Sequence, residues 1–278
     1  MKFKIFLVTA VCTVAALAIV AGICLYHYIG MPKSVGEKEY KYRTEKISVE
    51  YNGISLYGKA LIPVGESGQK FKTVIYAHGA NSNYKSDMTT LKSLAESGVA
   101  CYTFDFYGWT SKSTGPKGTG WFKGTDMSDN GAYIKKVLLQ VEDLNAVIEK
   151  IKSEDFVDKD NIYLLGSSMG GVTVATCAVT HTDDIKGIIL QYPAIFLNEQ
   201  AYEIGAEYDV NGYKNPVLLL QGDSDKVVPD KYSRELCDYY NSIDENHCRM
   251  IIYNGQPHVF TGKYKVIAAK DIYEFINS

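Results

Sequence analysis

The sequence predicts an α/β fold with a mostly parallel central sheet. Short apolar runs typical of buried strands alternate with longer segments whose apolar residues recur at helical spacing, and this alternation is typical of parallel sheets. Strands are predicted at residues 73–77, 99–106, 162–165, 187–191, 216–222 and 249–253. Helices are predicted at residues 87–97, 133–153 and 171–180.

The segment Gly166-Ser167-Ser168-Met169-Gly170 lies between a predicted strand and a predicted helix. A G-x-S-x-G segment in this position forms a sharp turn, because its small residues let the chain reverse while the central serine projects its hydroxyl. Ser168 would then stand at the N-terminus of the helix. It is the candidate nucleophile of the chain.

A serine hydroxyl is a poor nucleophile at neutral pH, so it needs a histidine base and an acid that orients that histidine. Asp223 and Asp225 both follow the apolar strand 216–222, and either carboxylate fits the acid. Among the five histidines, His247 precedes the last predicted strand and His258 follows it.

A fourth segment, His78-Gly79-Ala80-Asn81, follows the apolar strand 73–77. Together and in this order, the four segments resemble the α/β-hydrolase superfamily from about residue 46 to the end of the chain. The resemblance implies helices on both faces of the sheet, a short lid, and a histidine that comes last in the chain. The pattern G-x-x-D-x-x-V-P at 222–229 resembles the acid loop of these enzymes.

The resemblance therefore implies a catalytic triad of Ser168, Asp225 and His258, with Asp223 as the second choice for the acid. It also implies an oxyanion hole made by the backbone N–H groups of Ala80 and Met169. His78 is expected to be structural.

Within the superfamily, Phe104-Asp105-Phe106-Tyr107-Gly108 is similar to the F-D-x-x-G that ends a strand in small bacterial carboxylesterases of the cinnamoyl or feruloyl esterase type. The chain also resembles monoglyceride lipases. The expected activity is cleavage of a small carboxylic ester, without a cofactor, through an acyl-enzyme intermediate. A serine peptidase or amidase acting on short peptides is the alternative, and a non-catalytic binding module is the third hypothesis.

Two insertions are candidates for the substrate pocket. The loop 111–126 carries Trp121 and Phe122, although a plain surface loop explains it equally well. The segment 194–213, which includes Tyr208, occupies the position where these enzymes place a lid. Its acidic residues indicate either a site for a substrate's amino terminus or the solvated face of a short helix.

The segment from Ile5 to Tyr26 has no charged residue, and a helix of this length spans about 33 Å, which matches the hydrocarbon core of a bilayer. We therefore expect a transmembrane anchor in residues 1–29, a linker in 30–45 and a catalytic domain in 46–278. A cleaved signal peptide is the alternative. The domain is expected outside the cytoplasm, although the flanking lysines leave the orientation ambiguous.

A net charge of −3 without a basic stripe argues against nucleic-acid binding. No C-x-x-C or H-E-x-x-H spacing is present, so no metal is expected. Cys237 and Cys248 fall on a predicted helix and the following strand, where they either form a disulfide outside the cytoplasm or remain free thiols. The sequence gives no indication of the oligomeric state.

Overall fold

The computed structural model describes residues 34–109, 112–122, 130–197 and 213–278. The strands in these residues are β1 (Tyr42–Lys46), β2 (Val49–Tyr51), β3 (Ile54–Leu56), β4 (Gly58–Pro63), β5 (Phe71–Ala77), β6 (Ala100–Phe104), β7 (Val157–Ser167), β8 (Ile185–Gln191), β9 (Val217–Gly222) and β10 (Cys248–Tyr253). The helices are α1 (Met88–Ala95), α2 (Asn130–Lys152), α3 (Met169–Thr180), α4 (Asp230–Ile243) and α5 (Tyr264–Ile276).

Eight strands form one sheet in the order β1-β4-β6-β5-β7-β8-β9-β10. Six neighbouring strands of this sheet are parallel to one another, namely β6, β5, β7, β8, β9 and β10. The strand β4 runs antiparallel to both β6 and β1. The predicted mostly parallel sheet is therefore confirmed. The sequence reasoning missed β1 to β4, and β1 begins at Tyr42, inside the segment predicted as a linker.

The sheet has a hydrophobic core on each face. Residues of α2, α3 and α4, such as Val137, Val172 and Leu236, pack in one core. Residues of α1 and α5, such as Leu91 and Ile272, pack in the other. The strands between the two layers are apolar on both faces, as expected for strands covered on both sides. The predicted helices on both faces are confirmed.

The carboxyl ends of the parallel strands meet at one edge of the sheet, which we call the catalytic edge. The described chain begins and ends at the opposite edge. Ser34 Oγ lies 3.2 Å from Ser97 Oγ, just before β6 begins. Lys72, near the start of β5, donates a hydrogen bond to the carbonyl of Ile276 at the end of α5.

None of the helices in the described ranges is long and apolar enough to cross a membrane. The predicted anchor in residues 5–26 lies outside these ranges, as do Tyr208 and most of the predicted lid.

Candidate active site

Ser168 lies in a strained turn between β7 and α3, with φ 54° and ψ −119°. Non-glycine residues rarely adopt such a conformation, so the surrounding packing must enforce it. Gly170 makes this packing possible, because a Cβ on it would lie 2.2 Å from the carbonyl oxygen of Ala77. The start of α3 thus packs against the end of β5, and the turn holds the Ser168 side chain at the catalytic edge.

The structure brings the three predicted triad residues together. His258 Nε2 lies 3.0 Å from Ser168 Oγ, and His258 Nδ1 lies 2.7 Å from Asp225 Oδ2. The Tyr192 ring, 4.8 Å from the imidazole between centroids, packs against it. With Nδ1 donating its proton to the carboxylate, Nε2 is the free base that accepts the serine hydroxyl hydrogen.

Asp225 is held by more donors than the histidine alone. Its Oδ1 accepts the backbone N–H groups of Val227 and Val228 at 2.8 and 2.9 Å, and its Oδ2 accepts an N–H of Gln221 at 3.1 Å. Burial by itself raises the pKa of Asp225, but the hydrogen bonds from His258, Val228 and Val227 outweigh burial and lower this pKa. The carboxyl therefore stays ionised in its buried site.

Gln221 is a supporting residue that the sequence analysis missed. It is fully buried in β9, donates to Asp225 and to the carbonyl of Val228, and accepts the Ser233 hydroxyl at 2.8 Å. The sequence feature that could have indicated this role is that Gln221 is the only polar side chain in an otherwise apolar strand. Such a buried amide needs several partners, and the acid loop provides them.

The two other candidates, Asp223 and His247, have different partners. Asp223 is exposed, and its carboxylate accepts the Gly255 N–H at 2.7 Å, so it fastens the start of the loop that carries His258. His247 Nε2 lies 2.8 Å from the carbonyl oxygen of Asn215, just before β9 and therefore far from the catalytic edge.

The predicted oxyanion loop lies directly against the nucleophile. A Cβ on Gly79 would be 3.2 Å from Ser168 Cβ and 3.8 Å from Ser168 Oγ. Within the described residues, the N–H groups of Ala80 and Met169 have no hydrogen-bond partner. Both are therefore available to an oxygen bound beside Ser168.

His78 supports this loop, as expected. It is fully buried, and burial lowers its pKa. The Phe106 N–H points at His78 Nε2, at 3.3 Å, so the proton is assigned to Nδ1, which donates to the Gly79 carbonyl at 2.8 Å. A neutral imidazole thus links the loop after β6 to the oxyanion loop.

The loop after β6 is held in turn by Asp143 of α2, whose side chain is almost fully buried. Asp143 accepts the Tyr107 N–H at 2.7 Å and the hydroxyl of Tyr51 from β2. Burial raises the pKa of this carboxyl to about 7, although both hydrogen bonds oppose the shift.

Trp121 and Phe122 belong to an aromatic cluster on the loop after β6. The Phe122 N–H bonds to the carbonyl of Gly108 at 2.9 Å, and the Trp121 ring packs against Tyr107. The Lys136 ammonium of α2 lies 5.1 Å from the centre of the Phe122 ring. Whether these aromatic residues line a substrate pocket stays a prediction.

Glu149 of α2 lies beside His181 and Asp184, which follow α3, and these three side chains are close enough together to hold a metal ion. The Lys152 ammonium lies 2.7 Å from Asp184 and 3.7 Å from Glu149, so a lysine already supplies the positive charge there. Cys237 and Cys248 are buried free thiols, and no disulfide joins them.

The sequence profile of the family described as serine aminopeptidase, S33, matches residues 68–207, half of the chain. The chain belongs to this family. The matched segment contains Ser168 and both candidate oxyanion donors, while Asp225 and His258 lie beyond it. Curated proteins give no significant match.

Solved structures of the same fold include enzymes of different kinds. Est1E from Butyrivibrio proteoclasticus, solved with ferulic acid, is 22% identical with a TM-score of 0.66, and the match covers 83% of this chain and 97% of Est1E. A hyperthermophilic esterase from Pyrobaculum calidifontis is 18% identical with a TM-score of 0.61, covering 86% of each chain.

A putative dipeptidyl aminopeptidase IV from Bacteroides ovatus is 15% identical with a TM-score of 0.63, covering 87% of this chain and 36% of the larger protein. At these identities the structures establish a common α/β-hydrolase fold. This S33 family member is thus a hydrolase, and its bond preference is a separate question.

Proposed function

We propose that this protein is a serine hydrolase that cleaves small carboxylic esters through an acyl-enzyme intermediate. The observation that carries the proposal is the continuous path of hydrogen bonds from Ser168 Oγ through His258 to Asp225, with steps of 3.0 and 2.7 Å. This arrangement suits nucleophilic attack by a neutral hydroxyl.

In this mechanism Ser168 Oγ attacks the ester carbonyl while His258 Nε2 accepts its proton. Asp225 keeps the imidazole in the required tautomer and stabilises the imidazolium. The N–H groups of Ala80 and Met169 hold the negative oxygen of the tetrahedral intermediate. His258 then protonates the departing alcohol, and water releases the acid by the same steps in reverse.

A peptidase or amidase activity is the second candidate, supported by the family's description as serine aminopeptidase. The same residues carry out both reactions, since both pass through an acyl-enzyme. We favour esters because the loop after β6 resembles that of small carboxylesterases, and because the solved structures of this fold include a hyperthermophilic esterase and Est1E with bound ferulic acid.

The test is turnover of p-nitrophenyl esters from acetate to long acyl chains, beside feruloyl esters and aminoacyl amides. Ester cleavage that disappears in Ser168→Ala supports the proposal, and cleavage of amides alone would establish the peptidase instead. Loss of the nucleophile typically leaves only about one millionth of kcat.

Labelling by a fluorophosphonate separates both enzymes from a non-catalytic binding module. An active serine hydrolase is labelled at Ser168, whereas Ser168→Ala is not. A chain that binds no label and turns over no substrate would refute the mechanism.

We also propose that residues 5–26 anchor the protein in a membrane with the hydrolase domain outside the cytoplasm. The uncharged stretch in the sequence supports this. Retention in the membrane fraction after alkaline carbonate washing, with the domain accessible to protease added outside intact cells, is the expected result. Release of a shortened chain into the medium would establish a cleaved signal peptide.

A further inference from the structure

Four lysines lie near two adjoining tyrosine side chains at the catalytic edge. We call this group the lysine–tyrosine cluster, and its members are Lys46, Lys59, Lys85, Lys112, Tyr57 and Tyr84. The two tyrosine rings lie 5.0 Å apart in an edge-to-face arrangement. The Lys112 ammonium lies 4.4 Å from the centre of the Tyr57 ring and 5.7 Å from that of Tyr84.

The other lysines approach the same rings. Lys46 lies 5.5 Å from the centre of the Tyr57 ring, and Lys59 and Lys85 lie 5.7 and 5.6 Å from that of Tyr84. Lys46 and Lys59 are also direct partners in the antiparallel pairing of β1 with β4. Like charges placed opposite each other across two strands repel.

The aromatic rings do not compensate this repulsion. A ring face attracts a cation weakly at an exposed site, and here three ammonium groups share Tyr84. In the described part of the chain, Lys46, Lys59 and Lys85 form no ion pair with a carboxylate, whereas other surface lysines do. The concentration of charge is local, since the whole chain carries a net charge of −3.

The base of the cluster is fixed by buried hydrogen bonds. Tyr84 donates its N–H to Asp105 Oδ1 at 2.8 Å and accepts the Thr103 hydroxyl on its carbonyl oxygen. The Tyr57 carbonyl accepts the Asp105 N–H at 2.9 Å. Both tyrosines are therefore anchored to the end of β6, and the lysines surround a preformed platform.

We propose that the lysine–tyrosine cluster is a binding site for a phosphate-type anion, either free or as part of a larger ligand. Four ammonium groups within about 6 Å of two adjoining rings match the multiple charges and acceptor oxygens of such an anion. The two tyrosines lie beside the ends of β6 and β4, two to three strands from β7 and about 10 to 15 Å from Ser168 at the usual spacing of strands, and Lys46 on β1 lies one strand further away. An anionic group of an extended substrate would reach it from the active site.

The test is titration calorimetry of the full chain with inorganic pyrophosphate at low ionic strength. One equivalent is expected to bind, and the double variant Lys59→Gln/Lys112→Gln should weaken binding at least about tenfold, since each lost charge contact weakens binding of an anion. Lys186→Gln at the start of β8 is the matched control, because it removes an exposed charge at the opposite edge. Absence of binding to the unaltered chain, or equal weakening in the control, would overturn the proposal.

A kinetic arm identifies the source of the anion. If pyrophosphate raises KM for an ester without changing kcat, the site holds part of the substrate. If it binds without changing either constant, the site serves a separate ligand, and both results support the site. Calorimetry requires no turnover, so failure of the esterase proposal would leave this test intact.

Discussion

Replacement of the buried carboxyl of Asp143 should change how stability depends on pH. The folded protein keeps the proton of Asp143 up to about pH 7, whereas an unperturbed aspartic acid releases it near 3.8. Between these values the folded state binds more protons than the unfolded state, so this group lowers the free energy of unfolding as pH rises. The decrease in unfolding free energy ends above about pH 7, where Asp143 is ionised in both the folded and the unfolded state.

The size of the effect follows from the shift. A shift of about three units at 1.36 kcal/mol per unit gives a total of about 4 kcal/mol, of which about 3 kcal/mol falls between pH 5 and pH 8. Asp143→Asn carries no titrating group, and its amide can still accept the Tyr107 N–H while donating to the Tyr51 oxygen. The variant should therefore gain stability over the unaltered protein as pH rises.

The assay is urea unfolding of both proteins at several pH values between 5 and 8. The quantity to compare across pH is the unfolding free energy of Asp143→Asn minus that of the unaltered protein. The contributions of all other titrating groups cancel in this difference. Asp160→Asn, at an exposed position of β7, is the matched control and should show a constant difference. A difference for Asp143→Asn that also stays constant with pH would refute the reasoning.

Three further predictions concern the support of the catalytic residues. Asp225→Asn should lower kcat in the ester assay by up to about ten thousandfold, because the imidazole loses its orienting carboxylate. Asp223→Asn should have little effect on kcat. A larger loss of kcat in Asp223→Asn than in Asp225→Asn would assign the acid to Asp223. Gln221→Leu removes a hydrogen-bond donor from the acid loop. It should lower kcat by about ten- to a hundredfold with KM unchanged, since small displacements of catalytic groups have effects of this size. An unchanged kcat would contradict the role given to Gln221. Gly170→Ala introduces a Cβ that would lie 2.2 Å from the carbonyl oxygen of Ala77. This variant should lower the unfolding free energy, measured by urea titration, by about 3 kcal/mol. Unaltered stability would show that the turn can shift to make room for the methyl group.

The parts of this molecule that sequence reasoning reached are those encoded locally. The strand before Ser168 and the helix after it are adjacent in the chain, so composition alone predicts them. The positions of Asp225 and His258 follow from the resemblance of their loops to those of α/β-hydrolases, and the structure puts His258 next to Ser168 and Asp225 next to His258.

The remaining features depend on contacts between distant segments. The contact of Tyr51 with Asp143 joins residues 92 positions apart, and no local pattern indicates it. The strands β1 to β3 are short and partly exposed, so they lack the continuous apolar runs that mark the central strands. The strand β4 is buried, but its apolar run is only three residues long, 60–62. The lysine–tyrosine cluster likewise exists only once β1 has paired with β4.

The position of the C-terminal helix determines how this domain can be handled. The end of α5 lies at the edge of the sheet opposite Ser168. A fluorescent protein, an affinity tag or a biosensor surface joined after α5 is therefore attached about the length of a strand, roughly 20 Å, from the reacting serine. Such attachments should leave access of substrate to the catalytic edge unchanged.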